Sequence, residues 1–99
     1  LGLLVDLRGR FIVTSNRESG FGRYDIMLEP VKPENDDAII IEFKVFNPRK
    51  EKSMEETLVA AHSQIEEKSY EASLIAKGIS KENIRKYGFV FEGKKVLIG

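Results

Sequence analysis

The stretch Ala38-Ile39-Ile40-Ile41-Glu42-Phe43-Lys44-Val45 constrains this chain more than any other. Three isoleucines, a valine and a phenylalanine within eight positions read as a β-strand, since β-branched and aromatic side chains suit a pleated, half-buried surface. Side chains alternate across a strand, so Glu42 and Lys44 leave one face while Ile41, Phe43 and Val45 leave the other. A charge inside a buried strand is costly unless it is paired or binds a metal. Two readings follow. Either the strand lies at a sheet edge with one wet face, or Glu42 and Lys44 sit inside the sheet for a chemical reason.

Composition narrows the chemistry. A chain of 99 residues makes one domain, expected over 1–99, near the small end for independent stability. It has no cysteine and a single histidine, which excludes disulfides, thiolate metal sites and multi-histidine zinc sites. A metal would therefore be held by oxygen ligands, which points to magnesium, manganese or calcium. Sixteen basic and sixteen acidic residues cancel. That balance counts mildly against a dedicated nucleic-acid binder, although carboxylates holding a cation can make a site locally positive. No apolar run approaches the length of a membrane span and no signal peptide is evident, so a cytoplasmic location and no membrane partner are expected.

Along the chain, residues 1–7 read as the last turns of a helix closed near Gly9. The chain is accordingly expected to be a piece of a longer protein, lacking most of that first helix. Strands are expected from Arg10 to Ser15 and from Arg23 to Leu28, separated by a loop at 16–22, with the isoleucine-rich strand completing an antiparallel meander. Ser53-Met54-Glu55-Glu56 matches a capping box. A single helix is expected from Met54 to Lys77, closed by Gly78, because Leu58, Ala61, Ile65, Ala72 and Ile75 recur at roughly helical spacing. A polar connector with a short helical turn after Ser80 leads to a hairpin around Glu92-Gly93-Lys94. The fold class is α/β, with a mixed sheet of four or five strands.

Asp25 lies mid-strand, and Glu42 with Lys44 late in the next one. If these strands are antiparallel neighbours in the right register, the two carboxylates meet on one face as oxygen ligands for a hard divalent cation. Such a cation can bind a phosphodiester oxygen and acidify a water, and Lys44 could orient that water or neutralise developing charge.

Asp25 followed by Ile40-Ile41-Glu42-Phe43-Lys44 resembles the metal-binding motif of the PD-(D/E)XK nuclease superfamily, with Tyr24 standing where the superfamily's name has proline. The order of helix, three strands, helix and strand is similar too. Residues 15–25, 64–70 and 87–94 resemble, more closely, the nuclease-like domain that closes a family of prokaryotic proteins with an AAA-type ATPase-like domain in front. The resemblance implies a restriction-endonuclease-like core, Asp25 and Glu42 as ligands of Mg2+ or Mn2+, and Lys44 as the catalytic lysine. It also implies Gln64 as an auxiliary polar residue, as in the RecB-like branch, nucleic acid (DNA foremost) as substrate, and an ATPase-like domain in the same full-length chain. An acid on the first helix, present in many members, would be missing here. The alternative is a catalytically inactive nuclease-fold module that binds nucleic acid or the ATPase domain.

Other polar residues have plainer readings beside functional ones. Asp25 could simply pair with Arg23 or Lys44, and Glu42 with Lys44. Tyr70 reads as a packing aromatic with its hydroxyl at the rim, and His62 as structural. Glu18 and Arg23 could reach phosphate or staple the glycine loop. Arg49, Lys50 and Lys52 could steer a nucleic-acid backbone or form a solvated face.

Overall fold

The protein is described here by a computed structural model covering residues 2–6, 9–18 and 23–99, with side chains described for 9–16 and 25–99. Six strands form one sheet in chain order: β1 (Gly2–Asp6), β2 (Phe11–Glu18), β3 (Arg23–Pro30), β4 (Ala38–Val45), β5 (Ile84–Glu92) and β6 (Lys95–Ile98). All neighbours are antiparallel except β4 and β5, which run parallel. A parallel pair needs a long crossover, and helices α1 (Met54–Glu67) and α2 (Tyr70–Ala76) supply it, followed by a 3-10 turn at Lys81–Asn83. The result is an α/β domain with a mixed sheet and a restriction-endonuclease-like core.

Two elements differ from the sequence expectation. The opening segment is a strand rather than a helix end: Gly2–Asp6 pairs with β2, and Gly9 (φ 78°) lies in the reversal between them. A short apolar run carries too few turns for periodicity to separate helix from strand, and backbone pairing decides it. This strand makes the sheet six-stranded where four or five are expected. The expected helix of 54–77 is two helices, broken at Lys68-Ser69, where Ser69 adopts the left-handed conformation (φ 57°).

The helix-capping signals hold. Ser53 caps α1 by accepting from the Glu56 amide at 3.2 Å. The return arm of the capping box lands one residue early, since Glu56 accepts from the Lys52 amide at 3.4 Å. Gly78 (φ 96°) closes α2, with its amide on Ile75 O and the Ile79 amide on Leu74 O. Asn16, expected in a loop, belongs to β2, which runs on to Glu18.

The core lies between one sheet face and the helices. Ala38 and Ile40 of β4 and Ile84 of β5 pack with Ile65 of α1, Leu74 of α2 and Ile79. Gly88 of β5 is the point of closest approach: a Cβ built there would meet Leu58 Cδ1 at 2.6 Å and Ala61 Cβ at 3.1 Å. The opposite face carries Ile39, Ile41 and Phe43 of β4, half-buried, with the Phe43 ring 5.1 Å from Phe89 and 6.2 Å from Phe91. Among the described residues, no helix is long and apolar enough to cross a membrane.

Candidate active site

Register delivers the two acids. Asp25 and Glu42 are Cα partners across the antiparallel β3–β4 pair, so both point to the helix-covered face. Asn16 is the partner of Asp25 in β2, and Gly88 the partner of Glu42 in β5. One row of the sheet therefore reads Asn16, Asp25, Glu42, Gly88 on a single face. β4 lies between β3 and β5, which removes the edge-strand reading. Asp25 is 1% exposed and Glu42 fully buried.

The helix break supplies what the sheet lacks. Lys68, at the end of α1, extends its ammonium between the carboxylates, with Nζ 2.6 Å from Asp25 Oδ2 and 3.2 and 3.5 Å from the Glu42 oxygens. Tyr70, at the start of α2, donates its hydroxyl to Asp25 Oδ1 at 3.0 Å and accepts from Asn16 Nδ2 at 2.9 Å. Both flank Ser69. A left-handed non-glycine residue is strained by about 1–2 kcal/mol, and such strain persists only where surrounding contacts over-determine it. Here the contacts of Lys68 and Tyr70 do so. A second lysine clamps the break from the sheet: Lys86 of β5 holds Glu66 of α1 (2.9 Å) and Glu71 of α2 (2.6 Å).

Electrostatics follow from burial. Loss of water pushes the Glu42 carboxyl above the usual carboxylate range, and the charge and hydrogen bond of Lys68 pull it back. The Asp25 charge adds to the rise, and the Lys44 charge opposes it. Lys44 is half-buried and two residues along the strand from Glu42, on the same face. Burial also raises the Tyr70 hydroxyl, against the hydrogen bond from Asn16 and with the help of Asp25. Tyr70 therefore remains a donor at neutral pH.

Of the residues singled out in the sequence, Asp25 and Glu42 converge and Lys44 stands beside them. Gln64 lies one turn before Lys68 on α1, with its amide on Glu67 Oε2 at 3.3 Å. Tyr70 does pack its ring against the core, as a packing aromatic should, but its hydroxyl also holds Asp25. His62 bonds Gly99 O at 2.9 Å. The side chains of Glu18 and Arg23 lie outside the described residues. Sequence reasoning missed Lys68 and Asn16, and no local pattern marks either. Their one sequence signal is their place in the segments 15–25 and 64–70 that carry the family resemblance.

The donor set suits a hard divalent cation: two buried carboxylates face one another and already share one cationic centre, the Lys68 ammonium. Among the described residues no third acid, histidine or cysteine joins them. Magnesium is commonly held by one or two carboxylates with water completing the shell.

A mixed sheet crossed by helices, with two buried acids facing one another where β3 meets β4, makes this an α/β domain with a restriction-endonuclease-like core. A family model of the PD-(D/E)XK nuclease superfamily matches residues 1–99, and the chain belongs to that superfamily. Searches of the curated proteins and of the solved structures give no match.

Proposed function

We propose that the protein is a metal-dependent nuclease that hydrolyses phosphodiester bonds in nucleic acid, DNA foremost. The observation that carries this reading is the Asp25–Glu42 pair, buried, in facing register and sharing one cation. Asp25 and Glu42 would hold Mg2+ or Mn2+, which when bound polarises a phosphodiester and makes a water more acidic. Lys44, on the Glu42 face, orients the attacking water and offsets charge developing on the phosphoryl oxygens. Tyr70 and Asn16 fix the orientation of Asp25 through two hydrogen bonds. Gln64 acts as an auxiliary polar residue toward the substrate. The exposed Arg49, Lys50 and Lys52 follow directly on β4 and give a nucleic-acid backbone a basic approach to the site. The resemblance of 15–25, 64–70 and 87–94 supports an AAA-type ATPase-like domain in the full-length chain.

The test is a manganese titration by calorimetry on the wild type and on an Asp25→Ala, Glu42→Ala double variant, with DNA hydrolysis assayed in parallel. Metal binding and hydrolysis in the wild type, both lost in the double variant, are expected. Hydrolysis that survives in a folded double variant would sink the reading. Lys68 favours a second one: an acid pair already occupied from within by an ammonium suits an inactive nuclease-fold module that binds nucleic acid or the ATPase domain. Nucleic-acid binding without metal uptake or hydrolysis would select it.

A further inference from the structure

Every carboxylate oxygen of the acidic pair is engaged by the protein itself. Asp25 Oδ2 and both Glu42 oxygens face Lys68 Nζ, and Asp25 Oδ1 accepts from Tyr70. We propose that Lys68 is a built-in counter-cation that competes with the divalent metal for Asp25 and Glu42, so that metal loading requires its ammonium to swing out of the site. The inference rests on the metal-site reading above and deepens it.

Three physical facts carry it. First, magnesium binds oxygen at about 2.0–2.1 Å, closer than the ammonium sits, so an ion touching both carboxylates would crowd Nζ. Two cations at such range in a water-poor site repel strongly. Second, Lys68 already pairs with both carboxylates, and Lys44 adds its charge near Glu42. A divalent ion added to that set leaves an excess of positive charge, which expulsion of Lys68 reduces. Third, the ammonium has a way out. Lys68 is the residue at which α1 ends (φ −78°, ψ −8°), and its side chain is 17% exposed. Its flexible stem can turn toward that opening while Tyr70 and the Lys86 ion pairs still hold the break between α1 and α2.

Two carboxylates buried side by side with no counter-cation would be strongly destabilising. Lys68 offsets one of the two charges until a divalent cation takes its place.

The experiment compares manganese binding by the wild type and Lys68→Met, using calorimetry and thermal melting with and without the metal. Lys68→Met is expected to bind manganese about tenfold or more tightly than the wild type, because the competing charge is gone. If the variant unfolds unaided, manganese should restore its far-ultraviolet circular dichroism, or raise its Tm well beyond the rise seen for the wild type. Equal or weaker binding by Lys68→Met, with equal Tm shifts, overturns the competition while leaving the metal site standing. No binding by either protein overturns both, which separates the two failures.

Discussion

Glu42 and Gly88 are register partners in the parallel pair β4–β5, and the missing side chain at Gly88 is what lets α1 lie close beside a buried carboxylate. Leu58 of α1 fills the space above Gly88 and reaches Gly99, whose backbone exchanges hydrogen bonds with Gly88 at 2.7 and 3.0 Å. The depth at which the helix sits therefore sets how far Lys68, at its end, reaches toward Asp25 and Glu42.

Gly88→Ala should lower stability by about 1–3 kcal/mol, the usual cost of overpacking. Leu58 can rotate, but the Ala61 Cβ at 3.1 Å has no torsion to yield with. In a domain of this size each kcal/mol lowers Tm by roughly 4–8 °C, which calorimetry resolves. A Tm unchanged within error would show that the helix does not lean on this glycine.

Removing Lys68 alone should cost about 3–5 kcal/mol in the absence of metal, since two buried carboxylates lose their shared partner. Neutralising the whole set with Asp25→Asn, Glu42→Gln and Lys68→Met should recover most of that loss. Urea denaturation of the single and triple variants checks it. A triple variant no more stable than Lys68→Met would mean that the ion pairs contribute little and the lysine stem contributes most.

The acidic pair itself was legible in the sequence, and its partners were not. Alternation in Ala38–Val45 put Glu42 and Lys44 on one face, and only register was needed to bring in Asp25. The helix break left no trace: 68–69 holds neither glycine nor proline, and the apolar spacing runs on through Ala72 and Ile75. What stops α1 is tertiary, a lysine drawn to acids 43 and 26 residues away in sequence. Asn16 departs from its expected loop for a related reason. Its residue type favours loops, and pairing opposite Asp25 overrides that preference. The strand at Gly2–Asp6 was hidden because its apolar run is too short for a period to show.

The raised Glu42 carboxyl gives stability a sign with pH. Burial makes the folded protein hold this proton more tightly than the unfolded chain does, Lys68 notwithstanding. The stability contributed by such a group is complete below its unfolded pKa and is lost as pH rises through the folded one. Wild type should therefore gain stability relative to Glu42→Gln as pH falls from about 7 toward about 4. Chemical denaturation across that range measures the difference, and a flat or inverted profile would show that Lys68 outweighs burial.

Lys44→Met separates chemistry from ligation. Lys44 is half-buried on the Glu42 face and is not one of the two carboxylate ligands proposed for the metal, so the fold and manganese binding should persist. Hydrolysis should fall by about a hundredfold or more if the ammonium aids proton transfer or charge stabilisation. Cleavage at the wild-type rate would remove Lys44 from the proposed mechanism.

Tyr70→Phe tests the support behind Asp25. The ring packs against the core and phenylalanine keeps it, so the substitution removes only the hydroxyl. Asp25 Oδ1 is then left buried without its donor, and Asn16 without its acceptor. A loss of about 1–3 kcal/mol is expected for groups stranded in this way. Because Asn16, Tyr70 and Asp25 form one chain of hydrogen bonds, Asn16→Ala should add little on top of Tyr70→Phe, with coupling of about 0.5 kcal/mol or more. A double-mutant cycle read by thermal melting measures this coupling. Strictly additive losses would mean that Asn16 stabilises β2 by other contacts, leaving Tyr70 alone to hold the aspartate.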